Sequence, residues 1–202
     1  VLLVLLFAES TGASRITLVL AGVAISNLFS AGIDAVTTLY PDALLGYADF
    51  RMGGLAGVTL ARLVPAAAMI LPGLALALCL ADRLDVLALG PETAQSLGLA
   101  VRPTRLALLA LAAALAGAAV SVCGLVGFVG LLVPHAVRAV LGEDSRPLLA
   151  GSALGGAALL TGCDLLARTA AAPFELPVGT VMSFVGGPFF LWLLIRQRGG
   201  RR

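Results

Sequence analysis

The chain has 202 residues, 60% of them hydrophobic and only 12% charged, with a mean hydropathy of +1.06; soluble domains carry roughly 25% charged residues, so this composition defines a polytopic membrane protein. The net charge is +2 and all thirteen basic residues are arginines. Without lysine the chain can supply neither a Walker A phosphate loop nor a Schiff base, and with His135 as its single histidine it cannot build a multi-histidine zinc site.

Val1–Ala8 is apolar but far shorter than the ~20 residues of a span, and it lacks the basic leader of a signal peptide. It reads as the tail of a helix whose earlier part is missing, which makes the chain a C-terminal fragment. Segments of spanning length follow at Thr17–Tyr40, Leu63–Leu80, Leu106–Cys123, Leu148–Ala167 and Val178–Ile195. Between Cys123 and Gly142 the chain is interrupted by Gly124, Gly127, Gly130 and Pro134. The most helical part of that stretch, Leu131–Leu141, would reach about 16 Å at 1.5 Å per residue, short of a ~30 Å hydrocarbon core.

Charge decides whether it crosses. If it does, and the turn at Arg15 is cytoplasmic, Arg83, Arg102, Arg105, Arg138, Arg146, Arg196, Arg198, Arg201 and Arg202 join Arg15 on or beside the cytoplasmic side. Arg51, Arg62 and Arg168 then lie outside. That asymmetry obeys the positive-inside rule, and the opposite choice would translocate the arginine-rich tail. The short helix therefore crosses, kinked and packed within protein. A longer outer connection covers Pro41–Arg62 and a longer inner one Ala81–Arg105. Gly53/Gly57 and Gly151/Gly155 have GxxxG spacing, a weak signal in a chain with 24 glycines.

Within the first full span, Ser26, Asn27, Ser30, Asp34 and Thr37 fall on an arc of roughly 100°. Such a polar face lines a translocation pathway or makes interhelical hydrogen bonds. In the inner connection, Pro91-Glu92 starts a short helix and Gly98 ends it. Leu89, Ala94 and Leu97 give it an apolar side for a partner protein or the membrane surface. Asp164 and Arg168 form an i,i+4 pair at an outer helix end, or leave Arg168 to bind an acidic partner. Glu175 lies in the outer turn that follows. Cys79, Cys123 and Cys163 form no CxxC pair and read as small buried hydrophobes.

The tracts "LVLAGVAISNLFSA", "MGGLAG", "LALGPETAQSLGL", "GLVGFVGLLVPHAVR", "SALGGAALLTGCDLLAR" and "ELPVGTVMSFVGGPFFLWLL" occur in order. They resemble the permease subunits of ABC importers for iron-siderophores, haem and cobalamin, the FecCD family. The resemblance implies an all-α polytopic membrane protein: the last six transmembrane helices, and the end of the preceding one, of a ten-helix type II ABC importer permease. Residues 1–202 would form a single permease domain in a bacterial cytoplasmic (inner) membrane. Its partners would be a second permease subunit, two cytoplasmic ATPase subunits carrying ATP and Mg, an external substrate-binding protein and membrane lipid, with no nucleic acid. The chain itself would bind no cofactor or metal and hold no catalytic residue.

By the same resemblance, residues 81–105 become a cytoplasmic coupling segment, with Leu89, Gly90, Glu92, Ala94, Leu97 and Gly98 seated in an ATPase cleft. Arg168 would dock the binding protein. The Ser26–Thr37 face and the last helix would line the pathway, with a short helix around Phe50–Gly57 at its external mouth. Gly127, Gly130, Pro134 and His135 would form a structural motif, His135 being a hydrogen-bonded residue in the break between two helices. An ion-coupled transporter using Asp34 or His135 is the alternative class, and a nonfunctional permease fragment another; a membrane enzyme would need a nucleophile–base set that the sequence does not present.

Overall fold

The computed structural model describes residues 15–170 and 175–199, so the Val1–Ala8 segment lies outside the described residues. Regular structure among them is helical: α1 (Arg15–Leu39), α2 (Ala43–Met52), α3 (Leu60–Cys79), α4 (Ala81–Ala88) and α5 (Pro91–Ser96) come first. They are followed by α6 (Val101–Cys123), α7 (Val129–Leu141), α8 (Ser145–Thr169) and α9 (Val178–Gly199).

Helices α1, α3, α6 and α8 are long and apolar enough to cross a bilayer, whereas α7 and the apolar part of α9, Val178–Leu191, are shorter. Helix α7 has 13 residues, about 20 Å, because it starts at Val129, two residues before the predicted point. Helices α6 and α8 also start earlier than their apolar runs. Pro103 and Pro147 sit in their first turns, where proline's missing N–H costs no hydrogen bond.

Lipid gives helices no hydrophobic reason to associate, so close packing must do it. Against α8, α7 lays Val129, Val133 and Val137 over Gly156, Gly155 and Gly151, three positions where an added Cβ would touch valine methyls. The Gly151/Gly155 spacing thus forms a real groove. Gly53 and Gly57 do not, since both lie outside any helix at φ 64° and 69°. Helix α3 packs on α6, with Gly73 under Leu115. Helix α9 packs on α8 around buried Cys163, Ala167, Val178 and Met182.

The break between α6 and α7 is tied to the end of α2. Gly54 N donates to Cys123 O and Leu125 N donates to Phe50 O, both at 2.9 Å. A Cβ on Gly53 would lie 2.5 Å from Leu125 O, and one on Gly124 2.5 Å from Phe50 O; only glycine permits these approaches. Gly179 of α9 abuts the Met52 carbonyl, closing the knot. One departure from expectation lies here: the short outer helix is Ala43–Met52 rather than Phe50–Gly57. Pro41 and Asp42 open it, and Gly53, at a positive φ of 64°, stops it.

Candidate functional site

Chemistry-bearing residues collect at the two ends of the bundle. At one end the chain leaves α3 through Leu80, which ends that helix and begins α4. Gly90, at φ 100°, makes the turn into α5, whose first residue is Pro91. Helix α5 closes as the sequence predicts: Gly98, at φ 82°, donates to Gln95 O, and Leu99 donates to Ala94 O. This pair of bonds satisfies the last carbonyls in a Schellman arrangement.

Leu89 and Leu97 are 61% and 63% exposed at either end of this small helix, and Glu92 and Gly98 are exposed as well. Gly90 is half-buried. Ala94 departs from expectation. It is fully buried within this chain, on the side where α5 contacts α4 and α6; a methyl group allows that close seat. It therefore anchors the segment instead of presenting itself to a partner.

Sequence reasoning missed α4 and its two acids. Asp85 Oδ1 accepts the Ser145 amide at 3.1 Å, and Asp82 Oδ2 accepts from Arg146 Nη2 at 3.4 Å. Their i,i+3 spacing in "ADRLDV" was the available signal.

At the other end a cavity of about 690 Å³ lies among α2, the α6–α7 break and the α8–α9 turn. Asp49, Arg62, Asp164, Arg168 and Glu175 line it, together with Cys123. Arg168 Nε donates to Asp164 Oδ2 at 2.9 Å and Nη2 to Oδ1 at 3.4 Å. The Asp164 side chain is only 16% exposed, while that of Arg168 remains 44% exposed. The predicted i,i+4 pair is present, then, with its arginine open to the cavity. Asp49, on α2, and Arg62, in the first turn of α3, are far apart in sequence from this pair and join it in the cavity.

The α1 face is placed but not enclosed. Ser26, Asn27, Ser30 and Asp34 are exposed and Thr37 is half-buried. Thr37 Oγ1 donates to Ile33 O and Asp34 O at 3.0 and 3.1 Å, turning back on its own helix. Helix α1 packs against α2, while α9, the other expected pathway wall, packs against α8, α7 and α2. The described residues do not bring the two walls together.

His135 also departs from expectation. The break spans Gly124–Phe128, where Phe128 itself adopts φ 64° and sets its ring against Gly186. His135 lies two turns further on, inside α7 and one residue after Pro134. Its ring meets Phe189 edge-on at 6.3 Å, beside a cavity of about 260 Å³ that Arg138 also lines. A Cβ on Gly127 or Gly130 would meet nothing within 4 Å, so among the described residues the close-packing glycine of this tract is Gly124. No group of three or more His, Cys, Asp or Glu able to hold a metal ion occurs among the described residues.

Apolar spans, a charged cavity at one end and two short helices at the other make this a multi-pass membrane protein of the permease kind. Residues 1–196 match the FecCD transport family, and the chain belongs to it. It is 48% identical over 185 residues to the hemin transport system permease protein HmuU of Yersinia pestis, covering 91% of this chain and 55% of that protein. It is 39% identical over 181 residues to the Fe(3+) dicitrate transport system permease protein FecD of Escherichia coli, covering 90% and 57%. Among solved structures, a chain described as a metal-chelate type ABC transporter in an inward-facing conformation superposes with a TM-score of 0.87 at 28% identity, covering 96% of this chain and 62% of that one. The chain spans about half the length of the curated relatives it matches.

Proposed function

We propose that this chain is permease machinery of an ATP-driven importer that carries a metal chelate, of the iron-siderophore, haem or cobalamin type, across a bacterial cytoplasmic membrane. The observation that carries the reading is the α4–α5 surface. Two leucines stand in the open on a segment outside the spanning helices, a surface that a partner protein would bury. Arg83, Arg102, Arg105, Arg138 and Arg146 cluster along the sequence around that end, which makes it the cytoplasmic face. The partner there is an ATPase subunit, which holds ATP and Mg and hydrolyses it; this chain performs no catalysis.

The charged cavity is then external. Arg168, paired inside the chain yet still open, is the group that docks an acidic side chain of the substrate-binding protein. The polar side of α1 lines the pathway, and a second permease subunit supplies the facing wall. The relatives' names give hemin and ferric dicitrate as their cargoes.

Co-purification tests the reading. The full-length permease should capture two copies of its ATPase, and Leu89→Glu with Leu97→Glu should abolish capture without unfolding the permease. A well-folded permease that captures no ATPase would overturn it.

A further inference from the structure

Helix α8 opens without a cap of its own, because the Asp144 side chain makes no hydrogen bond to the first turn. The Ser145 amide bonds instead to Asp85 Oδ1 on α4, and Arg146 pairs with Asp82 one helical turn earlier on that helix. A carboxylate at the positive end of the α8 dipole is favourable and satisfies an N–H with no partner inside the helix. Helix α4 also packs on α8 and is anchored by fully buried Ala81.

The far end of α8 carries Asp164 and Arg168. Its 25 residues make a rod of about 38 Å with no proline beyond its first turn. Helix α3 makes the return link: it starts near Arg62 in the same charged cavity and joins α4 through the single residue Leu80. Covalent linkage holds α4 to α3, and the two acids hold it to α8. Packing through Ala81 and Ala94 seats α4–α5 on α8 and α6, and the two acids add the polar contacts that tie α4 to the first turn of α8.

We infer that Asp82 and Asp85 are positioning residues for coupling: they clamp the first turn of α8 to α4, so that a displacement of α4–α5 reaches the Arg168 cavity along one rigid helix. This rests on the importer reading above.

The test uses the full-length permease assembled with its ATPase and binding protein in lipid nanodiscs. The readouts are the ratio of binding-protein-stimulated to basal ATP hydrolysis, the melting temperature, and the ATP-induced distance change between spin labels at Gln95 and Leu165. Asp85→Ala should lower the ratio about fivefold, the factor matching the ~1 kcal/mol of a lost helix cap, and enlarge the distance change, because α5 then moves without α8, while the melting temperature falls only by roughly the few degrees such a cap costs. Asp85→Asn, which keeps an acceptor, should retain most of the ratio and keep the distance change small. Asp82→Arg should lower the ratio, and adding Arg146→Asp should restore it.

An unchanged ratio in an intact Asp85→Ala complex would overturn the clamp. So would a loss that merely follows the melting temperature. Failure of the unsubstituted permease to capture an ATPase would sink the importer reading instead.

Discussion

Alanine at Gly151 is the sharpest probe of the α7–α8 groove. Its Cβ would lie 2.7 Å from Val137 Cγ1 and 3.0 Å from Leu141 Cδ1, whereas carbon atoms pack best at about 3.5–4.0 Å. Val137 would have to retreat by roughly 1 Å, and a helical valine has one preferred χ1, so the helices must part. Overpacking of this kind costs about 1–3 kcal/mol, against about 1 kcal/mol gained when alanine replaces a mid-helix glycine. The net is a loss of up to about 2 kcal/mol. At Gly156 the nearest contact would be Val129 Cγ1 at 3.8 Å, and only the gain of up to about 1 kcal/mol remains. Gly155, at 3.1 Å from Val133 Cγ1, falls between. Thermal unfolding of the detergent-solubilised full-length permease should rank Gly156→Ala above the parent and Gly151→Ala well below it. Val137→Ala should recover the midpoint in the Gly151→Ala background while lowering it alone, a coupling that a double-mutant cycle isolates. Equal shifts at the two glycines, or no coupling, would refute the groove.

Three further substitutions separate packing from function. Ala94→Leu should lower the melting temperature, by about 1–3 kcal/mol of overpacking, because Ala94 is fully buried; Leu97→Glu should leave stability unchanged and reduce ATPase capture in a pull-down. Arg168→Glu should lower the ratio of binding-protein-stimulated to basal ATP hydrolysis in the assembled importer, and an unaltered ratio would remove Arg168 from docking. Gly53→Ala should destabilise the permease more than Gly57→Ala in the same unfolding assay. Both glycines have positive φ, but only Gly53 faces a carbonyl, Leu125 O, at 2.5 Å, while Gly57 has open space.

What the sequence showed depended on the range of the forces involved. The positions of the long apolar helices, the start of α5 at Pro91 and its stop at Gly98 all follow from local rules, and so does the Asp164–Arg168 pair. Residues whose role depends on a distant partner were hidden. Ala94 reads equally well toward an ATPase or toward α6, since a methyl group suits either. Gly151 and Gly155 looked like chance spacing until α7 supplied the valine ridge. The spacing of Asp82 and Asp85 puts them on one helix face but names no partner, because Ser145 and Arg146 are some sixty residues away. The end of α2 is fixed by the Gly53–Leu125 contact, which no local pattern announces, and the break ends at Phe128, in a left-handed position that a glycine would ordinarily fill, so His135 falls inside α7.

Helix α1 sets the last problem, because it faces two different solvents. Leu28, Phe29, Val36 and Leu39 are all more than half exposed on one side, which suits lipid. On the other side Asn27 and Asp34 are exposed too, and hydrocarbon offers them no hydrogen-bond partner. Threonine can satisfy itself on its own helix, as Thr37 and Thr38 do by donating to backbone carbonyls, but a carboxylate only accepts, and helix carbonyls give it no donor. Asp34 thus requires water or a second protein surface. If water from the proposed pathway meets this face, Ser30→Cys in a cysteine-free permease should react with a membrane-impermeant thiol reagent while Leu28→Cys, on the lipid side, should not. If another helix covers the face through hydrogen bonds, both cysteines will stay unlabelled and the pathway assignment of Ser26, Asn27, Ser30 and Asp34 fails. Labelling at both positions would place α1 outside lipid altogether and refute its reading as a span.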